Sequence, residues 1–255
     1  MKDTASLLDY AQDVRRIPTG LPFDNGDEMD QPTFHALYET TPEGFRAELI
    51  EGVVYFKMPV QLNHGRPQAK MATWISIYSA ETPETDVGVA PTLKLGLTSE
   101  PEPDACLFLS PEVGGNCEID EEDYLLGPPE LVVEIANTTK ATDLGRKKRD
   151  YERAGVKEYI VVMPSELKVI WFHRQKDRFV NLLPSSDGCI RSICFPGLWL
   201  KSDEVFSKSA SAILRTLRLG LASPEHAAFV AKLNAMKAKK RTASKPRALR
   251  NGKHK

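Results

Sequence analysis

The stretch from Leu131 to Met163 constrains this chain more than any other. It opens with LVVEIA, a strand-length apolar run broken by a single carboxylate, as expected of a strand buried on both faces. NTTKATD follows as a polar connection rich in cap residues. The spacing then predicts a helix over Leu144 to Ala154, stopped by Gly155, and VKEYIVVM returns as a second apolar strand. Glu134 stands in the middle of the first run. An ionised carboxylate is costly to bury unless a cation or several donors meet it.

The flanking segments read in the same way. FRAELIEGVVYFKM is two short β-forming runs hinged at Glu51-Gly52, the pattern of a hairpin. From His64 to Ser79, Met71, Trp74, Ile75 and Tyr78 recur at helical spacing. Val87 to Leu97 and Ala105 to Leu109 read as strands, the second introduced by Glu102-Pro103-Asp104, and the acidic, glycine-containing residues 110–127 read as a surface loop. LKVIWFHR and RFVNLL are further strands, with a turn at Pro164-Ser165. FPGLWLKSDEVF closes the globular part, and a helix is expected over Lys208 to Leu219. Upstream, helices are expected near Ser6 to Arg16 and over Thr33 to Glu39, with Thr33 as N-cap. This order fits an α/β or α+β class, a mixed sheet flanked by helices. The expected division is an extension over residues 1–32, a globular domain over 33–220, and a basic tail over 221–255, disordered from about Met236.

Composition limits the function classes. Hydrophobic residues are 41% and charged residues 27% of the 255, a globular rather than a disordered balance. No apolar run approaches the roughly 20 residues of a bilayer span, and the charged start does not resemble a signal peptide, so a cytoplasmic protein without membrane contact is expected. Cys106, Cys117, Cys189 and Cys194 lack zinc-like spacing and read as small apolar fillers. The net charge of −1 hides an asymmetry. Residues 232–255 carry ten Lys or Arg and no acid, leaving 24 basic against 35 acidic residues elsewhere, a net of −11.

Several side chains could carry chemistry. Glu134, and Asp104 at the start of another strand, could hold one Mg²⁺ between neighbouring strand ends, with the Ile135 carbonyl as a further ligand. Asp143, Lys147 and Tyr151 follow at i, i+4 and i+8 and share a helix face, so Lys147 could point back toward the acids; Lys148 replaces it if the register differs. Glu48 on the hairpin and His64 at the start of the following helix complete the set. Taken one at a time, each of these residues fits an ordinary surface role as well.

Together, AELIEGVVYFKMP, the His64 helix, Pro103-Asp104, PELVVEIANTT, DLGRKKRDYERAGVKEYIVV and FPGLWL resemble the Uma-two-type restriction endonucleases of the PD-(D/E)XK nuclease superfamily, over about residues 33–206. The resemblance implies a restriction-endonuclease-like core in which Asp104 and Glu134 bind the metal. It also implies a motif lysine displaced onto the next helix, where Lys147 stands, and Glu48 and His64 as the upstream acid and histidine. Asn137 lies where the family commonly has serine. The implied activity is metal-dependent hydrolysis of nucleic-acid phosphodiesters, most readily DNA, with Mg²⁺ as cofactor and Mn²⁺ as a substitute. A homodimer is a separate expectation, because cutting two strands invites two sites related by symmetry. The basic tail is a candidate nucleic-acid contact. Two rival readings are a nuclease-fold protein that binds nucleic acid or a partner protein without cutting, and a glycosidase-like hydrolase using Glu48 and Glu134.

Overall fold

The computed structural model describes residue 18 and residues 20–243, except 138 and 210. The helix expected near Ser6 to Arg16 lies outside the described residues. In chain order the first elements are α1 (Gln31–Tyr38), β1 (Ala47–Ile50), β2 (Val53–Phe56), α2 (Leu62–Ala80), β3 (Thr85–Gly88), β4 (Leu93–Lys94) and β5 (Ala105–Leu109). Next come β6 (Glu118–Ile119), β7 (Leu125–Leu126), β8 (Leu131–Ile135), α3 (Lys140–Asp143), α4 (Arg146–Ala154), β9 (Glu158–Met163), β10 (Lys168–Gln175) and β11 (Arg178–Asn181). The chain then runs through β12 (Ile190–Arg191), β13 (Trp199–Leu200), α5 (Ser202–Phe206), α6 (Ala212–Leu221) and α7 (Pro224–Ala243).

Six strands form the central sheet in the order β11-β10-β9-β8-β5-β3. Only the β8–β9 pair is parallel, because α3 and α4 carry the chain back between them; the other pairs are antiparallel. The sheet is therefore mixed and flanked by helices, as the sequence indicates. Side chains alternate along it. Ala105, Leu107, Leu131, Val133, Ile135 and Trp171 point into one core with Met71, Trp74, Ile75 and Tyr78 of α2. Cys106, Phe108, Val132, Val161 and Phe172 point to the other face, where Tyr151 of α4 joins them. The β1–β2 hairpin stands apart as its own two-stranded sheet, packed with Phe23 and Phe34 in a third cluster. Its turn places Glu51 at φ 52° and Gly52 at φ 76°, both left-handed, as a two-residue hairpin loop requires.

Several boundaries differ from expectation, each for a local reason. The N-cap of α1 is Asp30, whose carboxylate accepts the Thr33 N–H at 3.0 Å; Thr33 lies inside the helix. The single strand expected from Val87 to Leu97 is two, β3 and β4, in different sheets. The break falls at Ala90, with φ 50°, just before Pro91. The acidic loop contains β6 and β7; β7 pairs with β4, and β6 pairs with β7. The helix expected over Leu144 to Ala154 starts at Arg146, because Gly145 turns the chain sharply between α3 and α4. The last globular helix begins at Ala212 rather than Lys208, and RFVNLL is a strand only through Asn181.

The largest correction concerns the tail. Residues 224–243 form α7, which brings Phe229 and Leu233, with Met236 packed beside them, into the principal core. These three are spaced i, i+4 and i+7, a helical stripe that the density of lysines obscures.

Candidate active site

The register of the central sheet assembles the site. Ala105 of β5 lies opposite Val133 of β8, so the next step outward sets Asp104 against Glu134, on the same face of the sheet. Pro101 and Pro103 stiffen the approach to Asp104. Its Oδ2 accepts the Ile135 N–H at 2.7 Å, and its Oδ1 lies 2.9 Å from His64 Nε2, in the first turn of α2. Burial alone would raise the Asp104 carboxyl; the His64 hydrogen bond and charge, the Ile135 N–H and Lys57 outweigh it and hold the group below its usual range.

Glu134 is buried, and its Oε1 accepts from Lys147 Nζ at 3.0 Å and from the Tyr151 hydroxyl at 2.8 Å. Both donors come from α4, one turn apart. Lys147 Nζ also lies 2.8 Å from Glu48 Oε2, so it bridges an acid of the sheet and an acid of the hairpin. Glu48 is 6% exposed, not the solvent-facing hairpin residue that the pattern alone would suggest. Burial, reinforced by Asp143, Asp104 and Glu48 against the opposing Lys147, pushes the Glu134 carboxyl well above the usual range. At Lys147, Glu134, Glu48 and Asp143 outweigh burial and raise the ammonium well above the ordinary lysine range. Asp143, also buried, is raised by burial against the pull of Lys147, and its carboxylate accepts from Thr139.

Asp104, Glu134, Lys147, Glu48 and His64 therefore line one groove of about 1110 Å³, together with Ile135 and Asn137. Lys148 does not join them; its ammonium stands over the Phe172 ring at 4.2 Å. Among the described residues, no third carboxylate or imidazole stands close enough to Asp104 and Glu134 for all ligand atoms to lie within 4.8 Å of one another. A metal there would rest on those two acids and the main chain. Sequence reasoning passed over Lys57 and Arg46. Lys57 Nζ donates to the Glu102 carbonyl at 2.7 Å and lies 3.9 Å from Glu48, while Arg46 pairs with the Glu102 carboxylate at 2.6 Å. Both fall in the hairpin segment, where their side-chain direction follows only once the hairpin is docked.

The basic tail begins far from this groove. Lys237 pairs with Glu84, and Lys240 donates to the Pro111 carbonyl at 3.1 Å. Glu84 and Pro111 flank the end of β5 that is remote from Asp104.

A family described as "Uma2: Putative restriction endonuclease" matches residues 31–203. Among solved structures, the chain is similar to one titled as a putative nuclease belonging to DUF820 from Anabaena variabilis ATCC 29413. The identity is 16%, the match covers 71% of this chain and 97% of that one, and the TM-score is 0.49. No protein of curated function matches the chain. No described helix is long and apolar enough to cross a membrane.

Proposed function

Because the chain belongs to the Uma2 family of putative restriction endonucleases, we propose that it is a Mg²⁺-dependent endonuclease that hydrolyses DNA phosphodiester bonds, with Mn²⁺ able to replace Mg²⁺. The observation that carries this reading is the charge balance of the groove. Among the described residues lining it, Glu43, Glu48, Asp104, Glu134 and Asp143 face only Arg46, Lys57 and Lys147 as fixed cations. A polyanion is repelled by such a groove unless divalent ions accompany it. The donor chemistry suits Mg²⁺: hard carboxylate oxygens from Asp104 and Glu134 and the Ile135 carbonyl, with room for retained water.

When bound, the ion supplies Lewis acidity toward a phosphate oxygen and lowers the pKa of a coordinated water. The residues of the chain do the rest. Lys147 sits between two acids, where it orients the attacking water and offsets negative charge growing on the phosphorus centre. Tyr151 fixes the Glu134 carboxylate through its hydroxyl. His64 orients Asp104 and, as a lining residue of the groove, would contact a phosphate or relay a proton. Glu48 holds Lys147 in position and would join the outer shell of a bound metal.

The test is calorimetric titration of Mg²⁺ and Mn²⁺ into wild type, Asp104→Ala, Glu134→Ala and Lys147→Ala, with plasmid and single-strand cleavage measured in parallel. Both acid variants should lose metal, Lys147→Ala should keep it, and all three should lose cleavage. A wild type that neither binds metal nor cuts would end the catalytic reading in favour of nucleic-acid binding alone.

A further inference from the structure

A second cluster lies away from the groove, between α1 and the acidic loop. His35 and Glu39 are one turn apart on α1. His35 Nε2 is 3.7 Å from Glu39 Oε1 and 3.6 Å from Glu122 Oε2 in the loop. The Nε2 atom is buried and has no hydrogen-bond partner among the described residues. Its distances to both carboxylates are too long for hydrogen bonds. They are only slightly wider than the roughly 3.4 Å separating ligand atoms around a tetrahedral Zn²⁺ with bonds of about 2.1 Å. The other ring nitrogen is fixed: Nδ1 stands 2.8 Å from Oε1 of the buried Glu100, which also accepts from Gln31. A carboxylate on Nδ1 sets the tautomer that leaves the Nε2 lone pair free, the arrangement seen behind metal-binding histidines.

We propose that His35, Glu39 and Glu122 form a transition-metal site for Zn²⁺, separate from the acid cluster of the groove. An imidazole ligand favours Zn²⁺ over Mg²⁺, whereas the all-oxygen donors of the groove favour the reverse. Three protein ligands leave a fourth position for water. Lys94 is the opposing charge: its ammonium lies 3.1 Å from Glu122 Oε2 and 2.7 Å from Asp120 Oδ2. It balances the surplus of Glu39, Glu100, Asp120 and Glu122 only in part. Tyr124 packs edge-on against the His35 ring at 4.9 Å and walls one side of the site. The effect of the metal is mechanical. It ties the loop carrying β6 and β7 to α1, and through Glu100, whose backbone pairs with Leu49 of β1, to the hairpin that bears Glu48.

The test titrates Zn²⁺ into the full chain in excess Mg²⁺, by calorimetry and by thermal shift, for wild type, Asp104→Ala, Glu122→Gln, His35→Asn and Glu100→Gln. Wild type and Asp104→Ala should bind one Zn²⁺ that Mg²⁺ does not displace. Glu122→Gln and His35→Asn should lose it, and Glu100→Gln should weaken it about tenfold. Glu122 is exposed, so its variant keeps the test valid even if His35→Asn folds poorly. Zn²⁺ binding that survives in Glu122→Gln, that disappears in Asp104→Ala, or that is absent from wild type overturns the proposal. His35 would then be a structural histidine set between surface acids without a metal.

Discussion

Lys147 is the single cation between Glu48 and Glu134, and all three side chains are buried. Removing one partner from such a set leaves uncompensated charge in a region of low dielectric constant. Lys147→Met should therefore cost about 3–5 kcal/mol in metal-free urea unfolding, and added Mg²⁺ should restore part of it by binding the native state alone. The same cluster sets a pH dependence. Glu134 rises from an ordinary 4.5 to about 8 in the folded chain. The native state then binds more protons than the unfolded state between those values, so stability falls as pH rises through that window. Asp104, whose group is lowered, acts only on the acid side, where its contribution disappears as pH falls. Thermal unfolding of the metal-free protein should show a falling Tm from about pH 5 to pH 8, and saturating Mg²⁺ should flatten that slope. A Tm that climbs steadily over this range would show that Glu134 is ionised throughout.

At the scale of elements, Gly145 decides where Lys147 points. A Cβ there would sit 2.4 Å from the Ala141 carbonyl oxygen, which is backbone and cannot yield cheaply. Gly145→Ala should displace the start of α4, lower Tm, and reduce cleavage more than an exposed substitution such as Arg146→Ala, both read on the purified variants. Elements with strong local signals were legible in the sequence. LVVEIA, ACLFL and the Glu51-Gly52 hairpin lie where their periodicity and turn residues place them. The acids and Lys147 were legible as candidates because burial of Glu134 demands a counter-charge. Other features depend on tertiary contact and carry little local signal. The break at Ala90-Pro91 sends β4 to pair with β7 rather than continue β3, and Asp30 caps α1 although Thr33 has an equal claim by composition. His35 shows only a His-x-x-x-Glu spacing on a short helix, and its third partner, Glu122, lies 87 positions away.

Across the whole molecule, the basic C-terminal segment has two parts. Residues 224–243 close the core through Phe229 and Leu233, whereas residues 244–255 add five Lys or Arg beyond that helix. Ending the chain after Ala243 should leave Tm unchanged and lower the salt slope of nonspecific DNA binding, by about 0.9 for each phosphate that is no longer neutralised. Ending it after Ser223 should lower Tm by several degrees in the same thermal assay, because it uncovers an apolar face. The candidate site is put together from positions 48, 104, 134 and 147, with the hairpin held against α4 through Glu51 and its partners Arg149 and Arg153. During synthesis Glu48 leaves the ribosome 99 residues before Lys147, a wait of roughly 5–20 s at about 5–20 residues per second. Throughout that interval the nascent chain carries Glu48 without its ammonium partner, so the proposed site cannot assemble before Lys147 has emerged.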